Sequence, residues 1–290
     1  MIHNIAQLFE KVGNDEEVVK WIKHFDSCNG NFGVLKVGGD SLKDYTPAIC
    51  EDLAILAKLD LCVPVVYGWG TALTDLLKKH NISSEKHTAT NVRITKKEDL
   101  PYLDEIARRQ GLMIVDGLES HGIHAEIVYG IFSAERKYLP DVEFEHFTGD
   151  LTSVDTQKIQ DCISRHIIPL LPPLGYASDG QLMNINGDTA AKGVVLAYLP
   201  QKYIILNNHG GVKKDPEKEE LISRISLSRD YDDLARQEIF NGGMKLKVDE
   251  AKAIFDSLPP EHALSVQIAH PENILIELFT DAGKGTYITR

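Results

Sequence analysis

The sequence lacks the short motifs that mark the commonest nucleotide-binding and hydrolytic folds. It contains no GxxxxGK[ST] phosphate loop, no GxGxxG turn after a strand, no HExxH helix and no GxSxG nucleophile elbow. His121 and His124 are spaced for one helix face, but no carboxylate or third histidine stands at ligand spacing from them. These absences argue against the corresponding ATPases, dehydrogenases, zinc peptidases and serine hydrolases.

Positive charge, paired cysteines and long apolar runs are also scarce. The formal net charge is −12, whereas proteins that bind a nucleic-acid backbone usually present a basic face. The four cysteines, at positions 28, 50, 62 and 162, form no CxxC pair and follow no secretory segment, which favours reduced, buried thiols. No apolar run approaches the roughly 20 residues that span a bilayer. We therefore expect a cytoplasmic protein that binds neither nucleic acid nor membrane and holds no resident metal.

The sequence does contain a repeated order of apolar strand, glycine turn and helix. Its 43% hydrophobic and 26% charged residues are typical of a globular protein, and 290 residues suffice for one large domain or two joined lobes. The apolar run 32–37 is followed by Gly38 and Gly39, and the run 62–67 is followed by the turn 68–70. Two such units predict a largely parallel sheet covered on both faces, with ligands at the carboxyl ends of the strands.

Hydrophobic periodicity predicts the remaining elements. The first thirty residues read as two amphipathic helices broken at Gly13, Asn14 and Asp15, with Asp15 as a cap for the second. These helices either cover the chain's own core or form an arm that packs on another subunit. Further helices are predicted at 47–59, 96–122, 188–199, 242–255 and 272–279, and further strands at 123–129, 181–185, 203–206 and 264–268.

Cationic and amide side chains stand at several of these strand ends. Lys36 comes just before Gly38 and Gly39, so an ammonium group and free backbone N–H groups can converge on one anion there. Asn184 and Asp188 stand between a strand and a helix, where they can bind a polar ligand or orient lysines. The ordinary alternatives are a tight turn for the glycines and a helix cap for Asp188.

Two lysines near the start of a helix form a third such feature. Lys245 and Lys247 follow Gly242 and Gly243 at the predicted helix start, where positive charge opposes the helix dipole. A phosphate bound at this position would resolve that conflict.

Four segments carry these residues in a recognisable order: KVGGDSL from Lys36, LMNINGDTAA from Leu182, NGGMKLKVDEA from Asn241 and LIELFTDAGKGTYI from Leu275. In this order and spacing they resemble acetylglutamate kinases of the amino acid kinase family, nearest the subgroup whose kinase domain is fused to an acetyltransferase. The resemblance implies an α/β fold, a three-layer α/β/α sandwich with a mainly parallel central sheet. It also implies an N-terminal helical arm at 1–30 and a kinase domain at 31–290, divided into an acyl-acceptor lobe at 31–185 and a nucleotide lobe at 186–290.

The resemblance assigns roles to individual positions. Lys36 would contact the migrating phosphoryl group, Lys247 would contact the ATP phosphates, and Asp188 would hold both lysines in place. The implied substrate-binding residues are Gly68, Trp69, Gly70, Arg93, Asn184 and Asn186. The implied nucleotide-binding residues are Gly38, Gly39, Asn207, Asn208, Gly210 and Gly211.

The implied activity is ATP-dependent phosphorylation of the γ-carboxylate of N-acetylglutamate, a step of arginine biosynthesis. Magnesium would arrive with the nucleotide, and the acceptor carboxylate is already ionised near neutral pH, so that no general base is required. Glu277 and Gly283 resemble positions that bind arginine as a feedback effector. The resemblance further implies a homo-oligomer, either a dimer or a hexamer.

Two alternatives remain open at the level of sequence. The family's second glycine turn usually reads HGGGP or HGTGP, whereas this chain places the indole of Trp69 at its centre. A bulky residue there would obstruct an acceptor, which favours a weak or inactive regulatory module that senses arginine or supports an acetyltransferase. The other alternative is a kinase that acts on a different amino-acid carboxylate.

Overall fold

A computed structural model of the chain describes residues 2–26, 31–215, 217–240, 242–281 and 283–290. The expected boundary between arm and domain, as well as Cys28 and Asn241, therefore lies outside the described residues. The helices are α1 (Ile2–Val12), α2 (Asp15–Asp26), α3 (Gly39–Ala57), α4 (Gly70–Lys79), α5 (Leu100–Glu119), α6 (Thr156–Ser164), α7 (Gly187–Tyr198), α8 (Leu227–Arg236), α9 (Gly242–Ser257) and α10 (Ile274–Phe279). Short 3-10 turns at Lys97–Asp99 and Pro271–Asn273 precede α5 and α10.

The strands form one large sheet, one small barrel and one hairpin. In chain order they are β1 (Gly33–Val37), β2 (Val65–Tyr67), β3 (Glu85–Lys86), β4 (Arg93–Ile94), β5 (Ala125–Ile127), β6 (Phe132–Arg136), β7 (Thr148–Val154), β8 (Ile168–Leu171), β9 (Leu174–Tyr176), β10 (Leu182–Ile185), β11 (Lys202–Leu206), β12 (Arg224–Ser226), β13 (Ser265–Ala269) and β14 (Thr286–Thr289).

The large sheet is mainly parallel, as the sequence predicts. Its strand order is β12-β14-β13-β11-β1-β2-β8-β5, and the one antiparallel pair joins β13 to β14. β1 pairs with β2 on one side and with β11 on the other, so the two expected lobes share one continuous sheet. The ends of β1, β2 and β11 consequently meet at the same edge, where ligands bind in open parallel sheets.

Alternating side chains of β1 enter two different core layers. Leu35 and Val37 pack in the layer that contains α3, α5 and α10, whereas Val34 packs in the layer that contains α7 and α9. Because successive strand residues point to opposite faces, Lys36 must share the face of Val34. The alternation thus directs this lysine toward α7.

The strands β10, β7, β6 and β9 form a separate four-stranded barrel. β9 and β10 form an antiparallel hairpin, and Gly180 in its turn has a φ of +83°. The interior of the barrel is tight, because a Cβ at Gly175 would lie 2.7 Å from the Ala134 Cβ. Of these strands the sequence predicts only β10, whose carboxyl end leads directly into α7.

Two local predictions are wrong in detail. Helix α3 begins at Gly39, eight residues before the predicted start, and Pro47 lies inside it, where the missing N–H removes one bond from a helix of 19 residues. The cap of α2 is Asn14 rather than Asp15, because the Asn14 Oδ1 accepts a hydrogen bond from the Glu17 N–H at 3.2 Å. Asp15 is instead the first residue of the helix.

The described cysteines and helices agree with a compact, reduced fold. Cys50, Cys62 and Cys162 are buried free thiols, and burial raises the pKa of Cys50 and of Cys62 to about 11. At neutral pH these thiols are therefore protonated and poorly nucleophilic.

Within the described ranges, no helix has both the length and the apolar character that crossing a bilayer requires.

The N-terminal helices pack on their own chain. Leu8 of α1 and Val18 of α2 are fully buried in the core layer of α3 and α10. The Lys11 Nζ lies 2.6 Å from the Asp52 Oδ1 of α3 and 3.0 Å from a carboxylate oxygen of Glu51. Asp52 is 2% exposed, and burial raises its pKa to about 6 despite the neighbouring ammonium group. Lys11 thus ties α1 to α3 through two ion pairs.

We expect Lys11→Ala to lower the free energy of unfolding by about 1–3 kcal/mol near neutral pH, because it leaves a buried carboxylate unpaired. The folded-state pKa of Asp52 is raised, so its contribution to stability is present below pH 3.8 and is lost as the pH rises through about 6. The Lys11→Ala effect should therefore shrink as the pH falls through this range, as measured by denaturant unfolding.

The control is the same substitution in an Asp52→Asn background, where only the exposed pair with Glu51 remains and the loss should stay below about 1 kcal/mol. An equal loss in both backgrounds would contradict the assigned pair.

Candidate active site

Lys36 is a buried lysine on the central strand β1. It is 6% exposed, and its Nζ lies 2.7 Å from the Asp188 Oδ1. A charged amine is stable at such a depth only when an opposite charge accompanies it. The pair therefore joins the middle of the sheet to the first turn of α7.

Asp188 is not the cap of α7. That role belongs to Asn186, whose Oδ1 accepts hydrogen bonds from the backbone N–H of Asp188 at 2.8 Å and of Thr189 at 3.2 Å. The cap interpretation of Asp188 is therefore wrong, and its carboxylate faces lysines instead. Burial alone would raise the pKa of Asp188, but the charges of Lys36 and Lys247 outweigh burial and hold that pKa below its ordinary value.

Lys247 completes a buried triad with Lys36 and Asp188. Its Nζ lies 3.6 Å from the Asp188 Oδ2, and burial followed by repulsion from Lys36 lowers its pKa, with Asp188 opposing both. Lys245, two residues earlier on α9, turns outward and pairs with Asp249 at 2.7 Å. Of the two lysines near the helix start, only Lys247 enters the site.

Two adjoining cavities meet at this triad. The first, which we name the Arg93 cavity, has a volume of about 380 Å³ and extends under the β3–β4 hairpin. The second, which we name the Asn207 cavity, has a volume of about 600 Å³ and lies at the end of β11. Both are lined by Lys36, Lys247, Gly38 and Gly39. A ligand in either cavity therefore reaches the same two ammonium groups.

The Arg93 cavity is cationic although the chain as a whole is acidic. Its charged lining residues comprise four cations against two carboxylates, namely Lys36, Lys86, Arg93 and Lys247 against Asp40 and Asp188. The formal net charge of the chain is −12, so the local excess of two positive charges is a specific feature. It makes the cavity a receptor for anions.

Two helix N-termini open onto the same place. The N-cap positions of α3 and α4 are Gly38 and Trp69, and neither end has a side-chain cap, which leaves first-turn N–H groups available to a ligand. The two turns touch, because a Cβ at Gly39 would lie 2.9 Å from the Trp69 carbonyl carbon. Glycine is therefore required at position 39 for this close approach of two backbones.

Trp69 lines the Arg93 cavity, but its indole does not fill it. The residue is 4% exposed and belongs to the core layer of α3 and α5, where its ring packs edge to face with Tyr67 at a centroid distance of 6.3 Å. The Tyr67 hydroxyl in turn donates to the Ala107 carbonyl at 2.8 Å. The obstruction that the sequence predicts at this turn is therefore not observed.

Arg93 is held in the cavity by neutral acceptors. Its Nη2 donates to the Gly70 carbonyl and to the Thr74 Oγ1, both at 2.8 Å, and its Nη1 donates to the Ser84 hydroxyl. Within the part of the chain that the structure describes it forms no ion pair. Burial lowers its pKa, and its charge remains available to a carboxylate ligand.

Asn184 is anchored from the opposite wall. Its Nδ2 donates to the Thr95 Oγ1 at 2.8 Å, and the Thr95 N–H donates to the Thr148 Oγ1 at 2.9 Å. The Thr148 hydroxyl also donates to the Arg93 carbonyl at 2.9 Å. This network fixes the amide of Asn184 relative to the backbone of Arg93.

The predicted nucleotide residues divide into two groups. Asn207 and Asn208 line the Asn207 cavity, although the Asn208 amide is bound to Ser41 at 2.7 Å and to Asp44 at 2.9 Å. Gly210 and Gly211 line neither cavity. Gly210 has a φ of +76°, and a Cβ at Gly211 would lie 2.7 Å from the Thr286 Oγ1, so both serve the turn itself.

Several lining residues escape the sequence analysis. Lys86 and Asn91 belong to the β3–β4 hairpin, whose strands of two residues give no periodic signal. The left-handed φ of +54° at Asn91 is one that asparagine adopts more readily than most residues, which is the only local clue. His209 and Met244 line the Asn207 cavity and supply an aromatic and an apolar surface.

Glu277 and Gly283 lie together, away from both cavities. The Glu277 Oε1 accepts hydrogen bonds from the N–H groups of Lys284 at 2.7 Å and Gly285 at 2.8 Å, and its Oε2 accepts from Gln267 at 2.9 Å. A Cβ at Gly283 would lie 2.0 Å from the same carboxylate. In this structure Glu277 therefore fixes the C-terminal loop.

The chain is similar over nearly its whole length to a long fungal protein and to a bacterial acetylglutamate kinase. It is 34% identical over 288 residues to the Neurospora crassa "Protein arg-6, mitochondrial", covering 99% of this chain and 32% of that protein. It is 30% identical over 291 residues to an acetylglutamate kinase of Desulforamulus reducens, covering 96% of this chain and 97% of that protein. The chain thus spans about a third of the fungal relative.

A solved structure supports the fold. The N-acetylglutamate synthase of Neisseria gonorrhoeae, complexed with coenzyme A and L-arginine, superposes with a TM-score of 0.78 at 20% identity, covering 96% of this chain and 65% of that one. The sequence pattern that describes the "Amino acid kinase family" matches residues 31–260. The chain belongs to the amino acid kinase family.

Proposed function

We propose that the chain is an acetylglutamate kinase, which transfers the γ-phosphoryl group of ATP to the γ-carboxylate of N-acetylglutamate. The observation that carries this proposal is the buried triad of Lys36, Asp188 and Lys247 at the junction of two cavities. One cavity would hold the acceptor and the other the nucleotide with its Mg²⁺. The near-complete alignment with a bacterial acetylglutamate kinase agrees with this assignment.

The chemistry requires positive charge rather than a general base. The acceptor carboxylate, with an ordinary pKa of about 4.3, is ionised at neutral pH. One of its oxygens forms a bond to the γ-phosphorus while the bond from that phosphorus to the β–γ bridging oxygen breaks, so that ADP leaves with the electron pair. No proton moves. The barrier is the approach of one anion to another, which preorganised cations reduce.

Each residue of the triad then has a defined task. Lys36, which lines both cavities, would neutralise the negative charge of the phosphoryl group during its transfer. Lys247 would neutralise the nucleotide phosphates, and Asp188 would keep both ammonium groups at fixed positions. The uncapped N-termini of α3 and α4 would supply further N–H donors to phosphate and carboxylate oxygens.

The rest of the Arg93 cavity fits an acyl amino acid with a second carboxylate. The Arg93 guanidinium carries the unpaired charge that an α-carboxylate would bind. Asn184, anchored through its Nδ2, would present its carbonyl oxygen to the amide N–H of the acceptor. We therefore favour N-acetylglutamate over acceptors with one carboxylate.

The principal test is ADP release with MgATP and N-acetylglutamate. We expect Lys36→Ala and Lys247→Ala each to lower kcat by at least about 10²–10³-fold, because each removes a charge that meets the transferring group. The matched control is Lys245→Ala, which deletes an outward-facing lysine from the same helix and should leave kcat unchanged.

Two results would contradict the proposal. One is full activity in Lys247→Ala. The other is an inactive parent that gains activity on Trp69→Gly, which would support the regulatory module. We expect Trp69→Gly instead to destabilise the fold by about 3–5 kcal/mol, because its indole is buried in the core.

A second test concerns the acceptor. We expect Arg93→Met to raise the KM for N-acetylglutamate by about 10- to 100-fold, since a hydrogen-bonded charge contributes about 1.5–3 kcal/mol. For 4-acetamidobutanoate, which has no α-carboxylate, the same substitution should change KM less than about threefold. Arg136→Met, at an exposed pair with Glu145, is the control, and an equal effect on both acceptors would rule out the assigned contact.

We further propose that arginine regulates the chain from a third cavity of about 380 Å³ beside α2. Trp21, His24, Lys202 and Asp281 line it. The Lys202 Nζ donates to the carbonyls of Glu277 at 2.6 Å and Thr280 at 3.0 Å. Free arginine would place its carboxylate near this ammonium group and its guanidinium near Asp281, in place of the Lys20 ammonium group that pairs with Asp281 at 2.6 Å. The complex of the neighbouring synthase with L-arginine supports the choice of ligand.

Calorimetric titration with L-arginine tests the proposed arginine site beside α2. We expect heat of binding at neutral pH that weakens in Asp281→Asn. Burial lowers the pKa of Lys202 to about 8, so that affinity should decline as the pH rises through this value and the ammonium charge is lost. L-citrulline, without the guanidinium charge, is the control ligand. Absence of heat at millimolar arginine would remove the proposal.

A further inference from the structure

A second polar contact joins α7 and α9 behind the triad. The Lys192 Nζ lies 2.6 Å from the Glu250 Oε2, and the Thr189 hydroxyl donates to the Glu250 Oε1 at 3.1 Å. Glu250 is 9% exposed, and both of its oxygens are engaged. None of the three residues lines the Arg93 or the Asn207 cavity.

The spacing couples this contact to the triad. Glu250 follows Lys247 by three residues on α9, and Lys192 follows Asp188 by four residues on α7, so each pair shares a helix face. The helices therefore face each other through two successive contacts. In the first the acid is on α7 and the base on α9, and in the second the order is reversed.

The contact between Asp188 and Lys247 alone holds the Lys247 ammonium group only weakly in position. It spans 3.6 Å, and Lys36 repels the same ammonium group. At the start of α9, a Cβ added to Gly242 or to Gly243 would meet nothing within 4 Å, so those residues do not fix the helix by packing. Val248, Ala251, Ile254 and Phe255 hold α9 against the core, but the hydrophobic effect that buries them is non-directional.

We propose that Glu250 is a positioning residue for Lys247. Clamped by Lys192 and Thr189, it sets the rotation and the axial position of α9 against α7, and thereby places the Lys247 ammonium group at the mouth shared by the two cavities. This inference rests on the proposed kinase function. A misplacement of about 1 Å in such a group can cost on the order of 100-fold in rate.

The test is a double-mutant cycle in the ADP-release assay. We expect Glu250→Ala to lower kcat by about 10- to 100-fold, and to have little further effect when Lys247 is already alanine, because it acts through that lysine. If Glu250 only stabilised the fold, the fold-losses in kcat of Glu250→Ala and Lys247→Ala would instead multiply in the double variant. The KM for N-acetylglutamate should stay within about threefold of the parent value in Glu250→Ala.

Glu250→Gln keeps the shape and a hydrogen-bonding oxygen, so it folds with less disturbance and should show a smaller loss of kcat than Glu250→Ala. The control is Asp249→Asn, one residue earlier, whose side chain contacts Tyr231 and Lys245 instead; it should leave kcat unchanged. Multiplicative losses in the cycle, or parental kcat in both Glu250 variants, would overturn the proposal.

A second readout separates this inference from the function on which it rests. If the parent turns over no N-acetylglutamate, the proposed function fails, and binding of a non-hydrolysable ATP analogue then tests Glu250 by calorimetry. Weaker binding in Glu250→Ala that is absent in the Lys247→Ala background would sustain the positioning role. Additive weakening, or parental affinity, would refute it.

Discussion

The site depends on one buried carboxylate that is shared by two ammonium groups. Removing Asp188, Lys36 and Lys247 from water costs free energy that their mutual attraction offsets only in part, because two positive charges face one negative charge. The arrangement therefore retains an excess positive charge in a place of low dielectric constant. An anionic ligand at the junction of the cavities would relieve that excess. Under the proposed function, the same field would also stabilise a phosphoryl group during its transfer.

Several parts of the surrounding fold add to this excess of positive charge. The sheet brings the carboxyl ends of β1, β2 and β11 to one edge, and the glycine turns that follow β1 and β2 allow α3 and α4 to aim uncapped N-termini at that edge. Arg93 adds a cation whose hydrogen-bond acceptors, among the described residues, are neutral. Because lysines, arginine and backbone dipoles all point inward, a chain of negative net charge holds a strongly positive cleft.

Much of this was predictable from the sequence, for identifiable reasons. Long apolar strands followed by glycine turns predict the parallel sheet, and strand alternation places Lys36 on the face of α7. The barrel was missed, since short strands such as β9 carry no clear period, and the contact that requires Gly175 is made with a distant strand. The obstruction predicted at Trp69 is absent because the ring packs in the core, and sequence reveals side-chain volume but not the direction in which a ring points.

The remaining differences between sequence and structure concern side-chain partners. Asn186 rather than Asp188 caps α7, a choice between neighbouring polar residues that depends on the backbone angle at a single position. The carboxylate of Glu277 accepts hydrogen bonds from its own loop, and Gly210 and Gly211 shape a turn beside the cavities without lining them. Such assignments require coordinates, because they depend on which of several nearby donors and acceptors meet.

The position of Lys36 inside β1 also limits which insertions and deletions the sequence of this strand can accept. A strand alternates with a strict period of two, so deletion or insertion of one codon before Lys36 within β1 would turn the lysine toward the layer of α3 and bring an apolar neighbour to Asp188. The position of Lys36 in the alternation of the strand therefore matters as much as its residue type. Changes of chain length are better tolerated in the surface connections outside the strand.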